Sequence, residues 1–167
     1  MEKSLVKYGQ ELGPNLLKVA KKLCKNENLA MLLDNSDLDP LNQEKHLEKV
    51  NGINLLNKLI RIVPLVQADE QNSKSKLVIL FTRGDVNSTN SDNENIVLTI
   101  AIYCPFKEWL IAGDTIRPFA IMSEVRQSLQ DVRINGLGEI TYEGFDLSTL
   151  TEEMGAYIMR FKINAFS

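Results

Sequence analysis

The polar loop that follows Arg83 has a spacing of oxygen-bearing side chains that could bind calcium. Asp85 and Asn87 stand at the first two ligand positions of a calcium loop. Asn90, however, replaces the glycine that the sharp turn needs, and Ile96 stands where the bidentate glutamate belongs. The loop therefore does not predict a calcium site.

Glu139 and Glu143 are a second possible site, as a pair of catalytic carboxylates. They lie four residues apart on a predicted strand, so they share one face at a separation of about 13 Å. A glycosidase needs its two carboxylates roughly 5–9.5 Å apart. The pair is therefore typical of surface charges.

The remaining candidate groups also fail as sites. Cys24 and Cys104 have no CxxC or CxxH neighbour, and His46 is the only histidine, whereas a zinc site needs about four such ligands. The segment Gly136-Leu137-Gly138 follows a helix rather than a strand, which is typical of a helix stop. No P-loop or nucleophile elbow occurs. We expect no enzymatic activity, no cofactor and no metal, with the cysteines as buried free thiols.

The composition is that of an ordinary globular protein. The length of 167 residues suits one domain. The net charge of -3 and the pI of about 5.3 argue against a protein that lives on bare nucleic acid, which needs a strongly basic face. The first residues lack the apolar core of a signal peptide, and no apolar run reaches the roughly 18 residues of a membrane span. We expect no membrane partner.

Charge is distributed unevenly along the chain. Lysines make the start basic: Lys3, Lys7, Lys18, Lys21, Lys22 and Lys25. Carboxylates make a later block acidic: Glu139, Glu143, Asp146, Glu152 and Glu153. The two blocks are either solvated faces or complementary patches that meet between copies.

The elements that would position these residues begin with a helical region over about residues 1–58. Residues 2–34 are predicted to be helical, since apolar residues from Leu16 to Cys24 fall on one face at helical spacing. Gly13 and Pro14 predict a break, with Pro14 in the first turn of a new helix. Residues 26–34 predict a second, short helical piece.

Two weaker patterns follow. Residues 44–59 could hold a further helix, interrupted at Gly52. Residues 59–66 alternate apolar side chains but contain Pro64, which has no backbone donor. This segment therefore predicts an edge strand or an extended arm rather than a central strand.

The clearest pattern is a pair of strands in the middle of the chain. Lys76–Thr82 is strongly apolar, and Asn95–Cys104 alternates apolar side chains, as a strand does. The connection over residues 83–94 consists almost entirely of turn and loop formers. We predict that the two strands pair antiparallel as a long hairpin.

The last third predicts one helix and two more strands. Pro118–Val132 carries an apolar stripe and a first-turn proline, which predict the best helix. Residues 139–145 and 157–166 predict strands, and between them Thr149 and Glu152 have the capping-box spacing of a helical turn. The sum is an α+β fold: a mainly antiparallel sheet with a long hairpin, flanked by the N-terminal helical region and one central helix.

Six residues are candidates for an oligomer interface or for the lumen of a ring. Trp109 and Arg117 are of the types enriched at interface hot spots. Trp109 also fits a core position, and Arg117 also fits a polar contact within one chain. The turn-rich loop has no basic residue after its first, which fits either a channel wall that does not hold DNA or an outer solvent loop. Its candidates are Arg83, Asp85, Asp92 and Glu94.

The order of several segments resembles the neck proteins of tailed bacteriophages, the tail-terminator and head–tail joining group. The similar segments are NENLAMLLDNSDLDPLN, IRIVPLV, IYCPFKEW, IRPFAIMSEVRQSL, ITYEGFDL and MGAYIMRFKINAF. The resemblance runs from about Leu16 to the C-terminus, whereas the lysine-rich start and the loop RGDVNSTNSDNE depart from it. It implies one tail-terminator-like domain over residues 1–167, with a hairpin used in ring contacts.

The resemblance also implies a function. Proteins of this group are structural virion proteins that form a ring at the head–tail neck, as tail terminator or as connector, with a channel for DNA. We therefore expect a homo-oligomeric ring, contacts with other neck, portal or tail proteins, no sequence-specific DNA binding, and assembly in the host cytoplasm into the virion. The alternative is a small cytoplasmic binding or regulatory domain with a ligand or partner site on the sheet. A degenerate nuclease or hydrolase fold is a third possibility.

Overall fold

The structure, a computed structural model, describes residues 2–42, 51–62, 74–86 and 93–166. In these residues three α-helices pack with one mixed sheet of six strands, so the fold is α+β. The helices are α1 Glu2–Cys24, α2 Glu27–Asp34 and α3 Arg117–Leu129. None of the described helices is long and apolar enough to cross a membrane.

The sheet runs through the middle and end of the chain. Its strands are β1 Ile60–Arg61, β2 Lys76–Val86, β3 Asn93–Pro105, β4 Val132–Ile134, β5 Gly138–Leu150 and β6 Met154–Phe166. Their order across the sheet is β1-β2-β3-β6-β5-β4. All neighbours pair antiparallel except β1 and β2, which pair parallel. The sheet is thus mixed and mainly antiparallel.

Strands β2 and β3 form at the two apolar segments in the middle of the sequence. They pair antiparallel, with Leu77 opposite Ile102. Strand β6 lies on the other side of β3, so the three strands share one sheet as predicted. Residues 87–92, between β2 and β3, lie outside the described residues, and with them the candidate Asp92.

Helix α1 continues through Gly13 and Pro14, so the predicted break there is wrong. A proline inside a helix removes one backbone hydrogen bond and costs about 3 kcal/mol. The turns that follow bury Val19, Ala20 and Leu23 completely in the core. Burying a large apolar side chain contributes roughly 1.5–3 kcal/mol, so the packing of this face outweighs the cost of the proline.

Helix α3 begins at Arg117 with Pro118 in its first turn, within one residue of the predicted start. It ends at Leu129, three residues before the predicted end at Val132. Asp131 has a left-handed φ of 59°, which ends the helix and directs the chain into β4. The predicted apolar stripe is fully buried, as expected: Ile121, Val125 and Leu129.

The helical turn predicted ahead of β6 is wrong. Strand β5 continues to Leu150, and β6 begins at Met154. The hydroxyl of Thr151 accepts a hydrogen bond from the Met154 N–H at 3.0 Å, which closes a tight turn between the strands. A capping-box spacing is a purely local signal, whereas the pairing of Leu150 with Gly155 satisfies the backbone of both strands.

The connector between α2 and β2 contains little regular structure. A 3-10 turn occupies Gly52–Leu55, where the end of a longer helix was expected. Strand β1 lies at the edge of the sheet, in agreement with the predicted edge strand. Residues 43–50 and 63–73, and Pro64 with them, lie outside the described residues.

The core lies between the helices and one face of the sheet. Strands β3 and β6 contribute every second residue to it: Ile96, Leu98, Ile100, Ile102, Met159, Phe161 and Ile163. Successive strand residues point to opposite faces, so the alternation in the sequence decides which face is buried.

Candidate protein-interaction surface

The turn after β3 positions the only tryptophan of the chain. A 3-10 turn over Phe106–Glu108 is followed directly by Trp109. The indole N–H donates to the Cys104 carbonyl at 2.9 Å, so the polar atom is satisfied. The ring packs against Phe106 and Tyr157, with centroid distances of 5.1 and 6.1 Å.

The Trp109 ring also packs directly on Gly155. A Cβ at Gly155 would lie 2.4 Å from Trp109 Cζ2, which is too close for any real contact. Replacing Gly155 with alanine should therefore displace the indole ring and lower the free energy of unfolding by roughly 1–3 kcal/mol. Because Trp109 is the only tryptophan, its intrinsic fluorescence should shift to longer wavelength in the folded variant.

Gly13→Ala is the matched control for this substitution. A Cβ at Gly13 would meet no atom within 4 Å, so the variant should keep the wild-type emission spectrum. A Gly155→Ala variant with an unchanged spectrum would contradict the packing of Trp109 on Gly155.

Two further aromatic rings extend this packing to solvent. Phe119, in the first turn of α3, lies 5.5 Å from Tyr157 and 6.3 Å from Phe145 of β5 between ring centroids. Phe119 is 43% exposed and Phe145 is 49% exposed. Leu147, 51% exposed, lies opposite Tyr157 across β5 and β6. We call this set the aromatic surface: Phe106, Trp109, Phe119, Phe145, Leu147 and Tyr157.

The aromatic surface has the properties of a protein-interaction site. Single exposed apolar residues are normal on any protein, but contiguous exposed apolar patches mark places where proteins meet. Tryptophan, tyrosine and phenylalanine are enriched at the centres of such sites. The aromatic surface can therefore serve as the apolar centre of an interface.

A buried arginine holds the scaffold behind the aromatic surface. Arg117 is fully buried. Its guanidinium donates to four backbone carbonyls: Leu32 at 2.8 Å, Asn35 at 2.6 Å, Asp37 at 2.6 Å and Glu108 at 2.7 Å. One side chain thus ties the end of α2, and the segment after it, to the turn that carries Trp109.

Glu108 supplies the compensating negative charge. Its carboxylate accepts hydrogen bonds from Ser36 Oγ at 2.6 Å, from Ser75 Oγ at 2.9 Å and from the Ser75 N–H at 3.2 Å. Burial lowers the pKa of Arg117, while the charge of Glu108 opposes that shift. Burial also raises the pKa of the neighbouring Cys104 to about 11, which disfavours the thiolate form. The cluster orders the chain around the aromatic surface.

Three of the loop candidates lie at the opposite end of strands β2 and β3 from this cluster. Arg83 and Asp85 are exposed on β2 and form an ion pair at 2.6 Å. Glu94 lies on β3 opposite Val86, and Asp92 is outside the described residues. In the described part of the chain, no group of three histidine, cysteine or acidic side chains is arranged to hold a metal ion.

Sequence reasoning found Trp109 and Arg117 but missed the rest of the aromatic surface. The structure brings these two together, since the Arg117 N–H donates to the Trp109 carbonyl at 2.8 Å, and it places Arg117 inside the chain. Phe145 and Leu147 are two residues apart on a strand and so share a face. This spacing was the one sequence signal that could have placed them on a common surface. For Phe119 there was no such signal. The apolar stripe of a helix does not show which of the residues beside the stripe stay exposed.

The two outermost strands of the sheet, β1 and β4, are short, so parts of β2 and β5 have no strand of the described chain beside them. Strand β1 covers only Leu77 and Val78 of β2, and β4 covers only Gly138–Ile140 of β5. Among the described residues, no other strand pairs with the remaining lengths of these edges. Unpaired strand edges are templates for pairing with another chain. On the β1 side, the outward carbonyl of Ile60 already accepts from the Asn57 N–H of its own chain at 2.8 Å.

Comparison with known proteins assigns a family. The model of the YomW family matches residues 26–163. The chain belongs to the YomW family. YomW is a protein of Bacillus phage SPBc2, which supports a bacteriophage origin for this family member. No curated protein matches the chain. The YomW match includes the whole aromatic surface and both outer edges of the sheet, and it omits all of α1.

Proposed function

We propose that this YomW-family protein is a structural virion protein that forms a ring at the head–tail neck of a phage, as tail terminator or connector. The observation that carries the proposal is the aromatic surface, a contiguous exposed apolar patch in a protein of a phage family. Each copy in a ring contacts two neighbours, and obligate interfaces of this kind bury more than about 2,000 Å² in total. The aromatic surface offers the apolar centre that such an interface needs.

The charge of the chain supports a channel that lets DNA pass. Lysines or arginines along a channel would bind phosphates and release counterions, which would hold the DNA. Arg83 is the first residue of the turn-rich loop and its only basic residue, and it is paired with Asp85. We assign Asp85, Asp92 and Glu94 to the lumen. The Arg83–Asp85 pair has no net charge there, and the remaining carboxylates repel DNA over about 8 Å at physiological salt. DNA then passes without sequence-specific binding.

Imaging of phage particles tests the proposal. Particles of the phage that encodes this chain are compared with particles made after disruption of its gene. Intact particles should contain a ring of copies between the portal and the tail, labelled at the neck by an antibody against the chain. Disruption should give heads and tails that do not join. Intact particles without the protein, or with single copies only, would contradict the proposal.

A small cytoplasmic binding or regulatory domain is the second candidate function. It is favoured by the position of Phe145, Leu147 and Tyr157 on the sheet, where a partner or ligand could dock. Oligomeric state and location distinguish the two functions. A monomer or dimer that stays in the host cytoplasm, is absent from particles and loses its partner when Phe145 is replaced by serine would support this second function.

A further inference from the structure

The two outer edges of the sheet carry opposite charge. The β5 edge, residues 143–150 with the turn that follows, has exposed carboxylates: Glu143, Asp146 and Glu152. The β1 edge, residues 58–62, has an exposed Lys58 and a half-exposed Arg61. Opposite charge at opposite sides of one sheet favours contact between unlike edges of two copies and disfavours contact between like edges.

Strand pairing places Arg61 and Asp146 in one row of paired residues across the sheet. Paired residues lie side by side on one face, so the registers define a row: Arg61, Val78, Ala101, Ile158 and Asp146. Arg61 and Asp146 end this row on the same face, at opposite edges. Asp146 already pairs with Arg160 of its own chain, and a carboxylate has the capacity to accept from a second cation.

We propose that copies of this chain associate head to tail, with the β5 edge of one copy against the β1 edge of the next. Asp146 of the first copy then faces Arg61 of the second. The successive pairings make β5 antiparallel to β1, so these two edge strands run in opposite directions where two copies in the same orientation meet. A head-to-tail contact that is repeated by rotation closes into a ring. The inference therefore rests on the proposed function and names the two surfaces that meet in the ring.

The aromatic surface adjoins this contact and supplies its apolar part. Phe145 and Leu147 flank Asp146 along β5 and point to the other face of the sheet. Register shifts on both sides of these three residues mark bulges, and bulges bend a strand and interrupt its ladder. On the β1 side, the Ile60 carbonyl already accepts from the Asn57 N–H of its own chain, so the contact has little backbone pairing. The contact depends on side chains, including the half-buried Leu59 and Ile62 of the β1 edge.

Charge exchange tests the contact. Arg61→Asp and Asp146→Arg are made singly, together in one chain, and as an equimolar mixture of the two single variants. Sedimentation velocity measures association of each sample. Each single variant puts like charges at every contact, so its association constant should fall at least about tenfold. The double variant should associate like the wild type. The mixture should associate as well, because alternating copies meet with opposite charges at both contacts.

Glu139→Arg is the matched control, because Glu139 lies on the same strand beside β4 and outside the row. It should associate like the wild type, and unfolding midpoints verify that every variant is folded. The inference is wrong if the mixture associates no more than the single variants, if the control weakens equally, or if the wild type stays monomeric. If particles contain a ring but the charge variants associate like the wild type, the proposed function is supported and this contact is wrong.

Discussion

Replacing Arg117 with methionine is expected to lower the free energy of unfolding by about 3–5 kcal/mol. The substitution removes the donor from four backbone carbonyls: Leu32, Asn35, Asp37 and Glu108. It also leaves the carboxylate of Glu108 buried, at 3% exposure, with neutral donors only. Unsatisfied buried acceptors and an uncompensated buried charge are both costly. Urea denaturation followed by circular dichroism measures the loss.

Arg133→Met is the matched control for this prediction. The Arg133 side chain is 70% exposed, and its carboxylate partner Glu139 is 4.0 Å away, so the pair contributes only about 0–1 kcal/mol. Lysine at position 117 should fail to replace the arginine, since one ammonium cannot reproduce the planar fork of donors. If Arg117→Met costs no more than Arg133→Met, the buried network does not hold α2 in place.

Shortening Leu129 to alanine should lower the free energy of unfolding by about 2–5 kcal/mol. Leu129 is fully buried at the end of α3, and its loss leaves a cavity between the helix and the sheet. For a domain of this size the melting temperature should fall by roughly 2–4 °C per kcal/mol. Thermal unfolding measures the change.

Gln127→Ala is the control for this second prediction, because Gln127 is exposed on the same helix. Its melting temperature should stay close to that of the wild type. A Leu129→Ala variant that melts like Gln127→Ala would mean that the apolar stripe of α3 is not packed on the sheet.

Local pattern predicted the centre of the fold. Strands β3 and β6 alternate apolar residues over long runs, and a period of two specifies both the strand and the face that it buries. Helix α3 could be predicted because its stripe repeats at helical spacing after a first-turn proline. These signals lie within one segment and need no partner to be recognised.

Two local signals failed because distant contacts outweighed them. Pro14 predicts a break, yet the helix continues because the turns beyond it bury Val19 and Leu23 in the core. The capping-box spacing ahead of β6 predicts a helical turn, yet the backbone of β5 finds its partners in β6. Local propensities are worth less than the burial and pairing that tertiary structure adds.

The sequence by itself determined the α+β class, the strands β3 and β6, the helix α3, and Trp109 and Arg117 as residues of interest. Only the tertiary structure decided what those two residues do. Arg117 contacts two carbonyls more than eighty residues earlier in the chain, those of Leu32 and Asn35, and no spacing in a sequence encodes such a contact. The aromatic surface was decided in the same way. Its rings come from α3, β5, β6 and the turn after β3, and only the order of strands in the sheet brings them together.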